Sequence, residues 1–425
     1  MPKYDAIILG LDGSKKFFEL GSFTAFLENK MRFKAVSAGG MGIINACFLV
    51  CNDINQAIKF WTMAINTDLF KINEIIADIY ENEWSKLDDT SFVNSFTKFL
   101  SSDKRLYELK KALKKYISED DVRKSDVELY IDTINLSNLN FEAINLKSIP
   151  FGQFHSYILL SLCFPEISRV GKSSGLVNSY NNNLVNILVD KGYKNILSLE
   201  ETIEPLSFRK VTLLKSSDFL EAENSCESKL MKEQIMTGYL DTLKSIGKVS
   251  GKIYYIDYIE DDDYKSFDVH IGDLFSDNKD YLIMELLGLN VLNKNLVRKS
   301  ICDLIKFSEF RKENNALLSL LENLACIFHV EEKKKYTFFE LKNEIIKSFK
   351  SEAKMHLAKI GDRDILNSII YDSTPVFYVD KDIFMDYFLI LISAKPENYH
   401  VIAGMFSKVP DKIKLGIVAL IYLLY

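Results

Sequence analysis

Proline is scarce, seven in 425 residues, which argues against long disordered linkers and fits a mainly helical chain. Cysteine is sparse and unpatterned. Cys47, Cys51, Cys163, Cys226, Cys302 and Cys326 form no C-x-x-C pair and no metal-ligand spacing. Several of them sit in apolar helical runs and read as buried, reduced thiols. The five histidines, His155, His270, His329, His356 and His400, are scattered and form no H-E-x-x-H. Metal catalysis therefore has no support in the sequence, and no metal or other cofactor is expected. A surplus of basic charge is also missing. The net charge of −6 excludes a large nucleic-acid surface. No fixed-period repeat is found. No apolar run reaches the roughly 20 residues that a membrane-spanning helix needs. The longest, Leu415–Tyr425, is apolar on every side and reads as a buried helix, with an interfacial anchor or a partner-docking helix as the alternative. Because the first apolar strand begins almost at the initiator methionine, no signal peptide is expected. A cytoplasmic location is expected, with peripheral membrane attachment or signal-free export as alternatives.

What the chain does have is ordinary globular composition, 48% hydrophobic and 26% charged, at a length sufficient for two or three domains. It opens with Tyr4-Asp5-Ala6-Ile7-Ile8-Leu9-Gly10, a short apolar strand. After Leu11-Asp12-Gly13-Ser14-Lys15-Lys16 a helix runs from about Phe17 to Asn29, with Leu20, Phe23, Phe26 and Leu27 on one face. A second strand, Phe33 to Ser37, enters Ala38-Gly39-Gly40-Met41-Gly42 and a helix of small and apolar residues. A P-loop requires G-x-x-x-x-G-K-[ST] and a dinucleotide fold G-x-G-x-x-G; Gly10 to Lys15 satisfies neither. A plain strand-to-helix turn is the better reading, with an anion near Lys15 and Lys16 as the alternative.

Four amphipathic segments follow, Ile54–Ile65, Ile72–Trp84, Phe92–Leu100 and Leu106–Ile117. They form a helical insertion over about 53–120, read equally as a cap on a cleft or as core cover. Val127 to Ile131 resumes the sheet. Asn183 to Leu199 reads as helix, glycine stop and strand. Arg209 to Lys215 is a further strand, followed by a helix around Met231 to Ile246. From about Tyr281 the pattern becomes helical: Ile283–Leu292, Lys299–Phe310, Ala316–Phe328, Phe338–Ala358, Asp362–Ile370 and Ile383–Ser393. Glu331 to Lys335 reads as a solvated connector, and Val376 to Val379 as a short strand or extended link. The expected fold class is α/β: a mainly parallel sheet with helices on both faces over 1–260, then an α-helical domain over 281–425.

The strand, glycine turn and small-residue helix of Ala35 to Ala46 have the layout of a nucleophile elbow. Together with two later motifs they make the chain resemble the patatin-like phospholipases, over about Tyr4 to Ile256. That family carries a G-G-G-x-R-G loop, a G-x-S-x-G elbow and a D-G-G or D-G-A. Laid without gaps, Ala38 falls at the first elbow glycine, Gly40 at the nucleophile and Gly42 at the last glycine. Asn45-Ala46 fall where the family often has Asn-Ala. In the first loop only Gly13 is kept, with Lys15 at the arginine. In Gly171-Lys172-Ser173-Ser174-Gly175, Ser173 stands at the aspartate and Gly175 at the second glycine.

The resemblance thus implies a patatin-like three-layer core whose acyl-hydrolase site has decayed: Gly13, Lys15, Gly40, Gly42, Ser173 and Gly175 would be its remnants. A glycine cannot attack an ester, and a serine at 173 is no base near neutral pH. The implied role is binding of a lipid, a membrane surface or a protein, the last through the helical C-terminal domain. The alternative is an active phospholipase or lipid esterase using Ser37, since Ser37-Ala38-Gly39-Gly40 also looks like an S-A-G-G elbow. That reading requires three fewer residues before the nucleophile, puts Ala35 at the first elbow glycine and leaves the missing aspartate unexplained.

Overall fold

The computed structural model describes residues 4–10, 16–67, 69, 72–137, 140–170, 183–199, 211–217, 228–257, 278–306, 316–360 and 379–424. The chain forms two compact units, Met1–Ile246 and Gly247–Tyr425. Among the described residues no helix is long and apolar enough to cross a membrane.

The first unit is built on a six-stranded sheet: β1 (Ala6–Leu9), β2 (Ala35–Ala38), β3 (Glu128–Asn135), β4 (Asn140–Asn145), β5 (Ile196–Ser198) and β6 (Val211–Leu213), in the order β4-β3-β2-β1-β5-β6. Every pairing is parallel except β3 with β4. Strands β1 and β2 are continuous apolar or small runs buried on both faces, as interior parallel strands must be. Their side chains alternate between two cores. Ile7, Leu9, Val36, Ala38, Leu129 and Ile131 join the larger one. Ala6, Ile8, Ala35 and Tyr130 face the other, which is closed by Leu184, Val185 and Leu188 of the helix at 183–190, here α9. The expected mainly parallel sheet with helices on both faces is therefore observed.

On the larger core lie α1 (Lys16–Glu28), α2 (Gly42–Cys51), α3 (Ile54–Ile65), α4 (Ile72–Asn82), α5 (Asp89–Ser102), α6 (Lys104–Tyr116), α7 (Glu119–Lys124) and α8 (Phe154–Val170). The insertion helices start where short polar side chains accept the orphan amides of the first turn: Asp53 from Gln56, Asp88 from Ser91, Asp103 from Arg105 and Leu106, and Ser118 from Asp121. Trp61, Phe96, Leu109 and Leu113 are buried in the same core as β1 to β3. The insertion thus covers the core.

Helix α1 is also crossed by α10 (Ser228–Ser245) with almost no space between the backbones. A Cβ placed on Gly21 would lie 2.0 Å from the Ile235 carbonyl oxygen, and one on Gly238 would lie 2.0 Å from that of Phe18. Ser22 Oγ donates at this crossing to the carbonyls of Phe18 and Gly238, at 3.1 and 3.3 Å.

The second unit is mainly helical around its own core, with a small sheet of Val249–Ser250, Tyr255–Asp257 and Lys335–Tyr336. Buried Glu322, on the helix Ala316–Ile327, accepts from the amides of Lys252, Ile253 and Tyr254 at 2.8–2.9 Å and so fixes the turn between the first two strands. The apolar segment from Leu415 lies in the helix Asp411–Leu424 and is buried. Glu331 to Lys335 is exposed, as a connector should be. The expected helix at 362–370 and the residues 376–378 of the expected short strand lie outside the described residues.

Candidate functional site

Strands β1 and β2 both end at the same edge of the sheet, and both feed helices. After Ala38 the chain keeps to the sheet for one more residue, with the Gly39 amide donating to Leu9 O at 3.0 Å. Gly40 then turns with φ of +47°, in the left-handed region that side chains with a Cβ avoid at a cost of about 1–2 kcal/mol. Met41 follows and α2 begins at Gly42. A Cβ on Gly42 would lie 2.9 Å from Gly10 N and from Leu9 C, and 3.2 Å from Glu19 Oε1. Helix α2 can therefore start here only because it starts with hydrogen in place of a side chain.

A buried polar cluster sits directly against this turn. Glu19, 2% exposed on α1, accepts from Gly10 N at 3.1 Å through Oε1 and from Asn45 Nδ2 at 2.8 Å through Oε2. The same Asn45 amide group donates to Lys16 O at 2.8 Å, and Asn45 Oδ1 accepts from Trp61 Nε1 at 2.7 Å. The Lys16 ammonium lies 4.8 Å from the Phe17 ring centroid and 5.6 Å from that of Trp61. The cluster ties α1, α2 and α3 to the end of β1. Glu19 stands out in the sequence as a lone acid between Phe17-Phe18 and Leu20, a pattern that marks a paired buried carboxylate.

Ser37 lies elsewhere. It is inside β2, between Ile8 and Tyr130, with 0% exposure, and its hydroxyl has no hydrogen-bond partner among the described residues. Nearby is a group that the sequence reading missed. Asp132 is one residue beyond the Ile131–Ala38 pair, at the level of Gly39, on the sheet face that also carries Ser37 and Tyr130. It is fully buried, and neither carboxylate oxygen closes a hydrogen bond among the described residues. Burial pushes its pKa up to about 8; the Thr133 amide and the Asn183 side chain draw it back only part of the way. Asp132 therefore holds a proton at neutral pH. Its signal in the sequence is an acid inside the apolar run Leu129-Tyr130-Ile131-Asp132-Thr133-Ile134.

Gly40 and Gly42 are thus on one turn and Ser37 is not. Gly13, Lys15, Ser173 and Gly175 lie outside the described residues. The α2 cysteines offer no replacement nucleophile: burial pushes Cys51 up to about 11 and Cys47 higher still. Among the described residues, the one His, Cys, Asp and Glu group spaced to hold a metal lies in the second unit.

No protein-family model and no curated protein matches the chain. Among solved structures it is similar to VipD from Legionella pneumophila, at 12% identity over 77% of this chain and 84% of that chain, with a TM-score of 0.29. It is also similar to ExoU in its heterodimeric complex with SpcU, from the type III secretion system of Pseudomonas aeruginosa, at 12% identity over 100% of this chain and 90% of that one, with a TM-score of 0.27. The type III effector ExoU gives 11% identity, 96% and 94% coverage, and a TM-score of 0.25 in a further structure. Superpositions this loose assign no activity and no residue role to this chain.

Proposed function

We propose that this chain is a patatin-like α/β protein that has lost acyl hydrolysis and acts by binding, with a lipid or membrane surface as the ligand of the first unit and a protein partner for the second. The observation that carries this reading is the turn at the end of β2. The positive φ belongs to Gly40, which has no nucleophile, while the hydroxyl of Ser37 is sealed inside the strand. A serine hydrolase stripped of its nucleophile loses on the order of 10⁶ in kcat. The vestigial positions on this reading are Gly13, Lys15, Gly40, Gly42, Ser173 and Gly175.

The purified protein is expected to resist a serine-reactive fluorophosphonate and to hydrolyse neither phospholipid nor nitrophenyl ester above a Ser37→Ala control. Gly40→Ser alone restores nothing, because the new hydroxyl lacks a base. The double change Gly40→Ser with Ser173→Asp brings back at most a trace. Vesicle flotation with phosphatidylcholine and phosphatidylserine reads out the binding half. Robust wild-type turnover that disappears in Ser37→Ala would establish the active esterase instead. Asp132, on the same sheet face, would then be the first residue to test as the group that handles its proton.

A further inference from the structure

Two helices of the second unit each carry two metal-ligating residues one turn apart. Glu352 and His356 are on the helix Phe338–Ile360, and Asp382 and Asp386 are on the helix Lys381–Ile392. Spacing of i and i+4 puts each pair on one face of its helix. The two faces meet. His356 Nε2 lies 3.0 Å from Asp382 Oδ1, and its Nδ1 lies 3.5 Å from Asp386 Oδ1. One ligand atom from each of Glu352, His356 and Asp382 lies within 4.8 Å of the others.

We propose that Glu352, His356 and Asp382 bind a divalent transition cation of the zinc class, which clamps these two helices together. Three features carry this beyond a plain cluster of acids. The imidazole is buried, with its side chain 6% exposed, and so is Glu352 at 8%; Asp382 at 59% leaves the outer side open for a water or a fourth ligand. The ring is held from behind by Asp386. A carboxylate on the second ring nitrogen fixes the tautomer that presents the first nitrogen to a metal. The Lys381 ammonium lies 2.5 Å from Glu352 Oε1. One imidazole nitrogen and two carboxylate oxygens form a set that suits zinc and its neighbours better than calcium or magnesium.

Metal bonds of about 2.0–2.2 Å require ligand atoms roughly 3.4 Å apart, so the group must close slightly. The exposed Asp382 side chain can supply that movement. Lys381 must also release Glu352, and at 40% exposure it can swing into solvent. The ammonium is thus a competitor of the cation. In the sequence the two i, i+4 pairs are visible, but 26 residues separate His356 from Asp382 and neither pair forms a known motif.

The test is titration of the metal-free full-length protein with zinc chloride by calorimetry, with cobalt(II) absorption reporting nitrogen and oxygen ligation. One zinc per chain is expected, with a melting temperature raised by about 5 °C at saturation. Asp386→Asn weakens binding about 10–100-fold. Lys381→Met tightens it about tenfold, which a plain histidine–aspartate bridge does not predict. His356→Ala abolishes binding. Asp382→Ala does the same from an exposed position, where the fold survives the change. Zinc binding that persists in both alanine variants, or affinity weaker than about 100 µM in the wild type, overturns the proposal.

Discussion

Gly238→Ala is expected to unfold much of the first unit at moderate denaturant, although it adds a single methyl group. The methyl carbon would stand 2.0 Å from the Phe18 carbonyl oxygen, and 2.8 and 2.9 Å from the Phe18 carbonyl carbon and Cα. Those are backbone atoms of α1, so no side-chain rotation can make space. The helices must separate, and α1 is pinned to the sheet edge by Glu19, Asn45 and Gly10. Overpacking of a tight core costs about 1–3 kcal/mol, and here the upper end or more is expected. Gly21→Ala attacks the same crossing from the other side and should match it. The control is Gly152→Ala, where φ is +84° but nothing lies within 4 Å of the added carbon. It should cost only the left-handed penalty of about 1 kcal/mol. Urea unfolding at one pH compares the three variants. Equal losses at positions 238 and 152 would mean that the crossing is looser than described.

The second large effect is on pH dependence. The pKa of Asp132 is about 8 in the folded chain against an ordinary carboxylate value of 3.8. Between those values the native state holds a proton that the unfolded state has released. Stability contributed by this group therefore falls as pH rises from about 4 to about 8, and levels off above that. The full span has a ceiling of about 6 kcal/mol, at about 1.4 kcal/mol per unit. Asp132→Asn removes the titration while keeping the shape. The variant should gain on the wild type steadily from pH 5 to about pH 8, and the difference in urea midpoint measures it. A gap that stays constant across that range would show that Asp132 is solvated or paired in solution.

These two features mark the boundary of what the chain reveals in one dimension. β1, α1, β2 and α2 were legible because each is a short apolar run of fixed period, punctuated by glycine. The antiparallel β4 was not, because half of Asn140 to Asn145 is polar and it gains its place by pairing along Asn135 to Tyr130. The helix crossing was invisible for another reason. Gly21 and Gly238 look like isolated helix-weakening residues until residues 216 apart in sequence, Ser22 and Gly238, are seen to share a hydrogen bond. Asp132 was legible in principle, as an acid with apolar neighbours on both sides. Its full burial was not, since that depends on α9 covering the same sheet face. At the glycine turn, sequence offered two candidates three residues apart, and only backbone torsion and strand register distinguish Gly40 from Ser37.

The order of the sheet also sets a timetable for synthesis. β1 is made before the other described strands of its sheet, yet it lies between β2 and β5. Its partner on one side follows within 30 residues, but the partner on the other side begins at Ile196. At about 5–20 residues per second, the ribosome needs roughly 8–30 s to travel from the end of β2 to β5. Throughout that interval β1 offers an apolar edge with unpaired amides and carbonyls to any other nascent chain. Production of this protein should therefore depend on holding chaperones at a defined stage, after β2 has emerged and before Ile196 has left the exit tunnel.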